Sequence, residues 1–441
     1  MKIETATAVQ QARPIDRSLE LWERAKRLIP CGTQCYSKGP TAYSEGFAPI
    51  YLQRGKGCRV WDVDGNEFID MGMGLWAVTL GHANPRHGEA VARAQAAGSQ
   101  LSLMHPLEVE LAQRLTQLIP VAEMVRYGKN GSDVTTAAVR LARTVTGREV
   151  ILRCGYHGWH DWYVAHSEHS RGVPAFNRQV SGRFDYHHPA SFDALMALHE
   201  GKVAGVIMEG IQAQEVDLAF LHHVREATRR AGALMIFDEV INGYRFAIGG
   251  AHQHLGIDVD LATFGKGIAN GTPLSAIVGK REWMKGFEET FFSLTFGGET
   301  VGLAAALEVL AIYEEERVVD VLDQLGQRLR AELLQAVRDS GLEGRITVSP
   351  HSRRTLIEAV APDSEDSLLL KSLLQQEMLR RGVLWGGWHA LSLAMARDRA
   401  AQDQVINAYG EALQVVQRAV ETDTVRLQLE GRPIAPIFKR H

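Results

Sequence analysis

The stretch AGALMIFDEVINGYR, residues 231–245, followed by LATFGK at 261–266, decides how this chain is read. Each opens on a short apolar run that stops at a charged residue, Asp238 in the first and Lys266 in the second. Unbroken apolar runs of this length read as buried strands of a parallel sheet. Lys266 follows Asp238 by 28 positions, about one strand–helix–strand step, so the two strand ends can lie side by side. Alternation along a strand predicts that Glu239 points away from Asp238 and that Val240 returns to its side. In open α/β sheets, ligands bind at the carboxyl ends of the strands. This carboxylate and this amine fall there.

Outward from this stretch, residues 85–300 alternate between helix and strand patterns. Helices are expected at 89–97, 107–118, 135–145 and 221–231, and strands at 124–127, 149–154, Val203–Met208, 234–237 and Leu261–Phe264. Such alternation predicts an α/β fold with a mostly parallel sheet covered on both faces. Ahead of it, 1–17 reads as a loose arm, 19–28 as a helix and 31–49 as a Gly/Ser/Pro-rich loop. Segments 50–52 and 59–61 flank Gly55-Lys-Gly57 as an antiparallel hairpin; 67–70 returns as a strand, and 72–81 is glycine-rich loop. Beyond 300, one helix covers 303–313. Val318, Val321, Leu322, Leu325, Leu329, Leu333 and Val337 mark one face of another, ended by Gly341. The expected organisation is an N-terminal segment 1–84, a large domain 85–325 and a small C-terminal domain 326–441. The terminal segments together form a small α+β domain.

Composition narrows the class. The 441 residues are 45% apolar and 23% charged, with net charge −4 from 48 basic and 52 acidic residues. That is ordinary globular composition, and nothing in it suggests nucleic acid or an anionic membrane as a partner. No run of about 18 apolar residues predicts a membrane span, and the polar N-terminus carries no apolar signal segment. Cys31, Cys35, Cys58 and Cys154 form no CxxC pair. A cytoplasmic protein with free thiols is the expectation.

Several strand ends carry residues suited to one chemistry. Asn130-Gly-Ser-Asp133 joins the strand at 124–127 to a helix, and Gly131 and Ser132 would place free backbone N–H groups and the positive helix end toward a phosphate. A plain helix cap by Ser132 or Asp133 is the blander reading. Tyr156, in Gly155-Tyr-His-Gly158, could stack on a flat heteroaromatic ring, or be an ordinary half-buried aromatic. Asp238 could hold a ring nitrogen protonated, Val240 could pack on the ring, and Lys266, between two glycines, could carry an aldehyde as an imine and then move a Cα proton. Together these point to pyridoxal 5'-phosphate, which needs a lysine and a carboxylate in those roles. A competing reading takes His157, His160, Asp161, His166 and His169, all within 13 residues, as a zinc site for hydrolysis. Their spacing fits no HExxH pattern, and no metal is expected.

These residues resemble the class III pyridoxal-phosphate aminotransferases of fold type I, and among them the branch containing glutamate-1-semialdehyde aminomutase. The pieces that carry the resemblance are RVWDVDGNEFIDM, KNGSDVTTAAVRLARTVTGR, GYHGWHD, IMEG, LMIFDEVINGYR, FGKGIANGTPLSA and FSLTFGGET. The resemblance implies Lys266 as the Schiff-base lysine and Asp238 as the partner of the pyridine nitrogen. It implies Gly131 and Ser132 at the phosphate and Tyr156 over the ring. Thr295 would reach the phosphate of a neighbouring subunit, which implies a homodimer with shared sites. Lys38, Glu209 and Arg245 are the implied substrate contacts. Lys38 stands where the aminomutase has a carboxylate-binding arginine, and lysine lacks the bidentate fork. The expected activity is transfer of an amino group from an amino acid, L-glutamate foremost, to an aldehyde or ketone such as a carbonyl sugar or polyol-like metabolite. The alternative is the aminomutase's intramolecular amine shift.

Overall fold

A computed structural model describes residues 13–435, so most of the arm expected at 1–17 lies outside the described residues. The chain forms two compact units. Among the described residues, one holds 13–73, Leu80–Ala83 and 322–435; the other holds Gly74–Thr79 and Asn84–Val321.

In the first unit, the helix Asp16–Leu28 leads into three short 3-10 turns, where sequence suggested only loop. The hairpin is present: β1 (Leu52–Lys56) and β2 (Arg59–Asp62) pair antiparallel, and β3 (Glu67–Asp70) continues the sheet.

The second unit is built on β4 (Met124–Gly128), β5 (Val150–Cys154), β6 (Ser181–Arg183), β7 (Val203–Met208), β8 (Leu234–Asp238), β9 (Leu261–Phe264) and β10 (Ser275–Gly279). Their spatial order is β4-β10-β9-β8-β7-β5-β6. Only β10 runs against its neighbours, pairing antiparallel with β4 and β9; the other pairs are parallel. Sequence reading missed β6 and β10. β6 has only three residues, and β10 follows a Gly-Thr-Pro turn that masks its apolar run. The helices Pro85–Ala97 and Pro106–Leu118 each begin on a proline ahead of the first apolar repeat. Proline suits the first helical position because its missing N–H costs nothing there.

The core of this unit lies where the helix Gly131–Thr146 crosses the sheet. Val134, Ala138 and Leu141 pack with Ile151, Ile207, Ile236, Leu261 and Ile277, all buried. Each such aliphatic side chain contributes about 1.5–3 kcal/mol by leaving water. Small residues set the spacing: a Cβ on Gly205 would sit 3.2 Å from Ala142 Cβ.

The glycine-rich segment at 72–81 is not simple loop. Met73, Gly74, Leu75 and Trp76 have positive φ in succession (39°, 61°, 59° and 72°), a short left-handed turn. For residues with a Cβ this conformation costs about 1–2 kcal/mol each.

The remaining strands belong to the first unit. β11 (Ile346–Val348), β12 (Thr355–Ala359) and β14 (Trp388–His389) form a three-stranded sheet, and β13 (Val383–Leu384) adds parallel to β3. Long helices at Ser364–Arg380 and Arg399–Glu421 complete it.

Candidate active site

The ends of β8 and β9 meet as their sequence spacing predicts. They are paired parallel neighbours, with Asp238 opposite Thr263. Asp238 is 3% exposed. One carboxylate oxygen lies 2.8 Å from His157 Nδ1. The other accepts the Val240 N–H at 3.0 Å and faces the Thr263 hydroxyl at 3.4 Å. The second nitrogen of His157 lies 3.2 Å from the Cys154 carbonyl oxygen. Both ring nitrogens thus face oxygen atoms. The His157 carbonyl accepts the Thr135 hydroxyl at 2.8 Å, which ties the β5 loop to the helix Gly131–Thr146.

Gly131 and Ser132 open that helix, whose first-turn N–H groups have no intrahelical acceptors. Asp133 takes the N–H groups of Lys129 (3.0 Å) and Asn130 (2.7 Å), fixing the approach to the turn. Close packing demands glycine at two places. Gly158 has φ +109°, and a Cβ there would come 2.2 Å from Ser132 Oγ. A Cβ on Gly131 would come 3.0 Å from Val240 Cγ1, and one on Gly265 would come 3.4 Å from the same atom. Gly131, Val240 and Gly265 are therefore gathered together.

Lys266 is half-buried and starts the 3-10 turn Lys266–Ala269 with φ 45°. Tyr156 is 51% exposed, its ring edge-on to Tyr163 at 5.3 Å, and its N–H lies 3.5 Å from Glu209 Oε2. Glu209 is buried. Burial pushes the Tyr163 hydroxyl up to about 12 and the Cys154 thiol up to about 12, so neither ionises near neutral pH. Thr295 is exposed, its carbonyl accepting the Gln100 amide at 2.8 Å. Lys38 is exposed in the turn Tyr36–Lys38 of the first unit. Arg245 is 2% exposed and directs its terminal nitrogens at the carbonyls of Ile241 (2.6 Å) and Trp76.

Sequence reasoning placed His157 only in a possible zinc cluster and missed its bond to Asp238. The available signal was its position just past the end of β5, two strands from β8. The cluster itself is dispersed. His160 Nδ1 meets the Thr136 hydroxyl at 2.7 Å, and His166 Nε2 meets the Ser181 carbonyl at 2.8 Å. Among the described residues, no group of three or more His, Cys, Asp or Glu could hold a metal ion.

The family profile described as aminotransferase class-III matches residues 41–348. The chain belongs to the class III aminotransferases. The 3-aminobutyryl-CoA aminotransferase of Cloacimonas acidaminovorans is 36% identical over 342 residues, covering 76% of this chain and 82% of that one. A glutamate-1-semialdehyde 2,1-aminomutase of Methanothrix thermoacetophila is 35% identical over 347 residues, covering 75% and 79%. Among solved structures, the FumI protein of Sphingopyxis sp. MTA144 in a pyridoxal phosphate form superposes with TM-score 0.85. It is 27% identical, and the match covers 92% of this chain and 98% of that one. The fold is therefore fold type I, this class III chain is an aminotransferase-family enzyme, and its cofactor is pyridoxal phosphate. The donor set suits that group: a buried carboxylate already held on three sides, a lysine one strand away, and a helix start walled by glycines. No helix among the described residues is long and apolar enough to cross a membrane.

Proposed function

We propose that this chain transfers an amino group from L-glutamate to an aldehyde or ketone that lacks a carboxylate beside its reacting end, such as a carbonyl sugar or polyol-like metabolite. The observation that carries the chemistry is Asp238, buried beside His157 at the end of β8, with Lys266 just past the end of the paired strand β9. Bound pyridoxal phosphate supplies an electron sink for the substrate's Cα pair.

The protein's part is to bind, orient and move protons. Gly131 and Ser132 hold the phosphate at the helix start. Val240 and Tyr156 would pack on the ring. Asp238 would keep a proton on the ring nitrogen, and His157 holds the Asp238 carboxylate in place. The Lys266 amine would take the Cα proton of the donor as a base and then give up a proton as an acid. Thr295, from the other subunit of a homodimer, completes the phosphate contacts, and Glu209 braces the Tyr156 loop through the N–H of Tyr156.

Support for the acceptor class comes from two sides. Lys38 stands in sequence where the aminomutase has a carboxylate-binding arginine. The 3-aminobutyryl-CoA after which one relative is named is a thioester with no free carboxylate on its acyl group. The 35% identity to an aminomutase favours a second reading, the intramolecular amine shift. One experiment separates them. The visible spectrum is recorded before and after L-glutamate, and acceptors are then added. A yellow band bleached by L-glutamate and restored by a carbonyl sugar supports transfer. Conversion of an amino-aldehyde without any donor supports the mutase. A protein that pyridoxal phosphate cannot colour overturns both.

A further inference from the structure

Arg245 has a different task from the substrate contact that the family resemblance implies. Its guanidinium is buried against backbone, donating to the Ile241 carbonyl on its own loop and to the Trp76 carbonyl across the unit, and it lies over the Trp76 ring at 5.2 Å. Trp76 ends the left-handed turn at 73–76. Strain of this kind persists only where surrounding structure holds it, and it gathers at functional sites.

What the turn delivers is the next few residues. A Cβ on Gly267 would touch Thr79 Cγ2 and Tyr244 Cβ, each at 3.4 Å, and one on Gly271 would touch Val78 Cγ2 at 3.4 Å. Val78 and Thr79 therefore lie against the segment that carries Lys266. That segment is itself strained: Lys266 and Asn270, at its two ends, both have φ 45°. On a further side, His87 Nε2 meets the Ala269 carbonyl at 3.0 Å. Tyr244, beside Arg245 in sequence, also has positive φ (65°), and its ring packs edge-on to Phe264 at 6.0 Å, on the strand that leads to Lys266.

We propose that Arg245 is a positioning residue for Lys266: its fork pins the left-handed turn at Trp76, which seats Val78 and Thr79 against Gly267 and Gly271 and so fixes the strained turn bearing the amine. A lysine at 245 has no planar fork to serve two diverging carbonyls. The inference rests on the role proposed for Lys266.

The test compares wild type, Arg245→Gln, Arg245→Lys and Thr79→Ala by hydrogen exchange, first without cofactor and then loaded with pyridoxal phosphate. Exchange without cofactor probes the clamp even if the cofactor reading fails, because it follows the chain alone. Both Arg245 variants are expected to exchange at least about tenfold faster in peptides covering 74–80 and 266–272. They are also expected to bind pyridoxal phosphate more weakly and to lose kcat equally with L-glutamate and with an amine donor lacking a carboxylate. Thr79→Ala is expected to loosen 266–272 while leaving 74–76 protected, and it carries the test should the Arg245 variants fail to fold. Unchanged exchange at 266–272 overturns the proposal. So does a rise confined to KM for L-glutamate, which would return Arg245 to the substrate.

Discussion

Asp238 and Glu239 are consecutive carboxylates, both buried and both paired with a buried histidine, yet they serve opposite faces of one sheet. Asp238 meets His157 at 2.8 Å and accepts the N–H of Val240, whose side chain packs against Gly131 and Gly265. Glu239 is 0% exposed; it meets His252 Nδ1 at 3.1 Å and accepts the N–H groups of Ala251 and His252 at 2.8 Å each, holding the start of the helix Ala251–Leu255. Every strong bond of Glu239 is spent on backbone and one ring. Asp238 also carries a full set of partners, but it stands at the carboxyl edge of the sheet beside the cofactor elements. A carboxylate–histidine pair is therefore no mark of chemistry by itself. The face it occupies decides.

The contrast can be broken from either side. The largest effect is expected from Lys266→Ala, which should lower turnover by at least about 10⁴-fold with the thermal midpoint little changed, since it removes the proton carrier. Near-normal turnover would refute its assigned role. Asp238→Asn should cut kcat by about 10³-fold, because the neutral amide cannot hold the ring-nitrogen proton by charge; a steady-state assay decides. His157→Asn, which loses a charge-assisted bond to Asp238, should cost roughly 10- to 100-fold in kcat.

On the other face the ordering reverses. Glu239→Ala leaves two helix-start N–H groups and a buried ring without their acceptor. It should lower stability by about 3–5 kcal/mol while turnover per folded molecule stays within about twofold. Denaturant midpoints measured beside activity would show whether Glu239 acts on fold or on chemistry.

The smallest expected effect belongs to a residue of the first unit. His389 is buried beside the Tyr409 hydroxyl at 2.8 Å, and burial drives its pKa from 6.5 down to about 3. Its unfolded form binds a proton below pH 6.5 and its folded form does not. Its contribution to stability is thus complete above pH 6.5 and erodes as pH falls toward 3. His389→Asn should flatten the pH dependence of the urea midpoint between pH 7 and 5. An unchanged slope would mean that other groups set it.

How much of this was legible follows from period and length. β7 and β8 are plain in the sequence because each is an apolar run closed by a charged residue, and β9 because only Thr263 interrupts its run; their pairing sets Asp238 opposite Thr263, three residues ahead of Lys266. Alternation predicts different surroundings for Asp238 and Glu239, and their partners differ throughout: His157 and the Val240 N–H for the first, the N–H groups of Ala251 and His252 for the second. β10 was hidden because a short antiparallel strand after Gly-Thr-Pro has no helix before it to mark a step. The left-handed turn at 73–76 was hidden for a different reason. Its handedness is held by Arg245, distant in sequence, and no local preference of Leu75 or Trp76 announces it. His157 escaped because its partner lies 81 positions away.

The antiparallel course of β10 bears on how Lys266 can move. Ala276 pairs with Phe264, so residues 265–274 form a loop whose two ends are stitched to each other by neighbouring strands. It is the shortest connection between consecutive strands of this sheet. Fixing a short closed loop forfeits less chain entropy than fixing a long crossover, by about 0.6 kcal/mol for each halving of length. The main chain beneath the amine is therefore tethered closely at both ends. The swing that carries the nitrogen away from one partner and back to another falls to the side chain's own torsions, which turn over in nanoseconds rather than in the microseconds a loop would need.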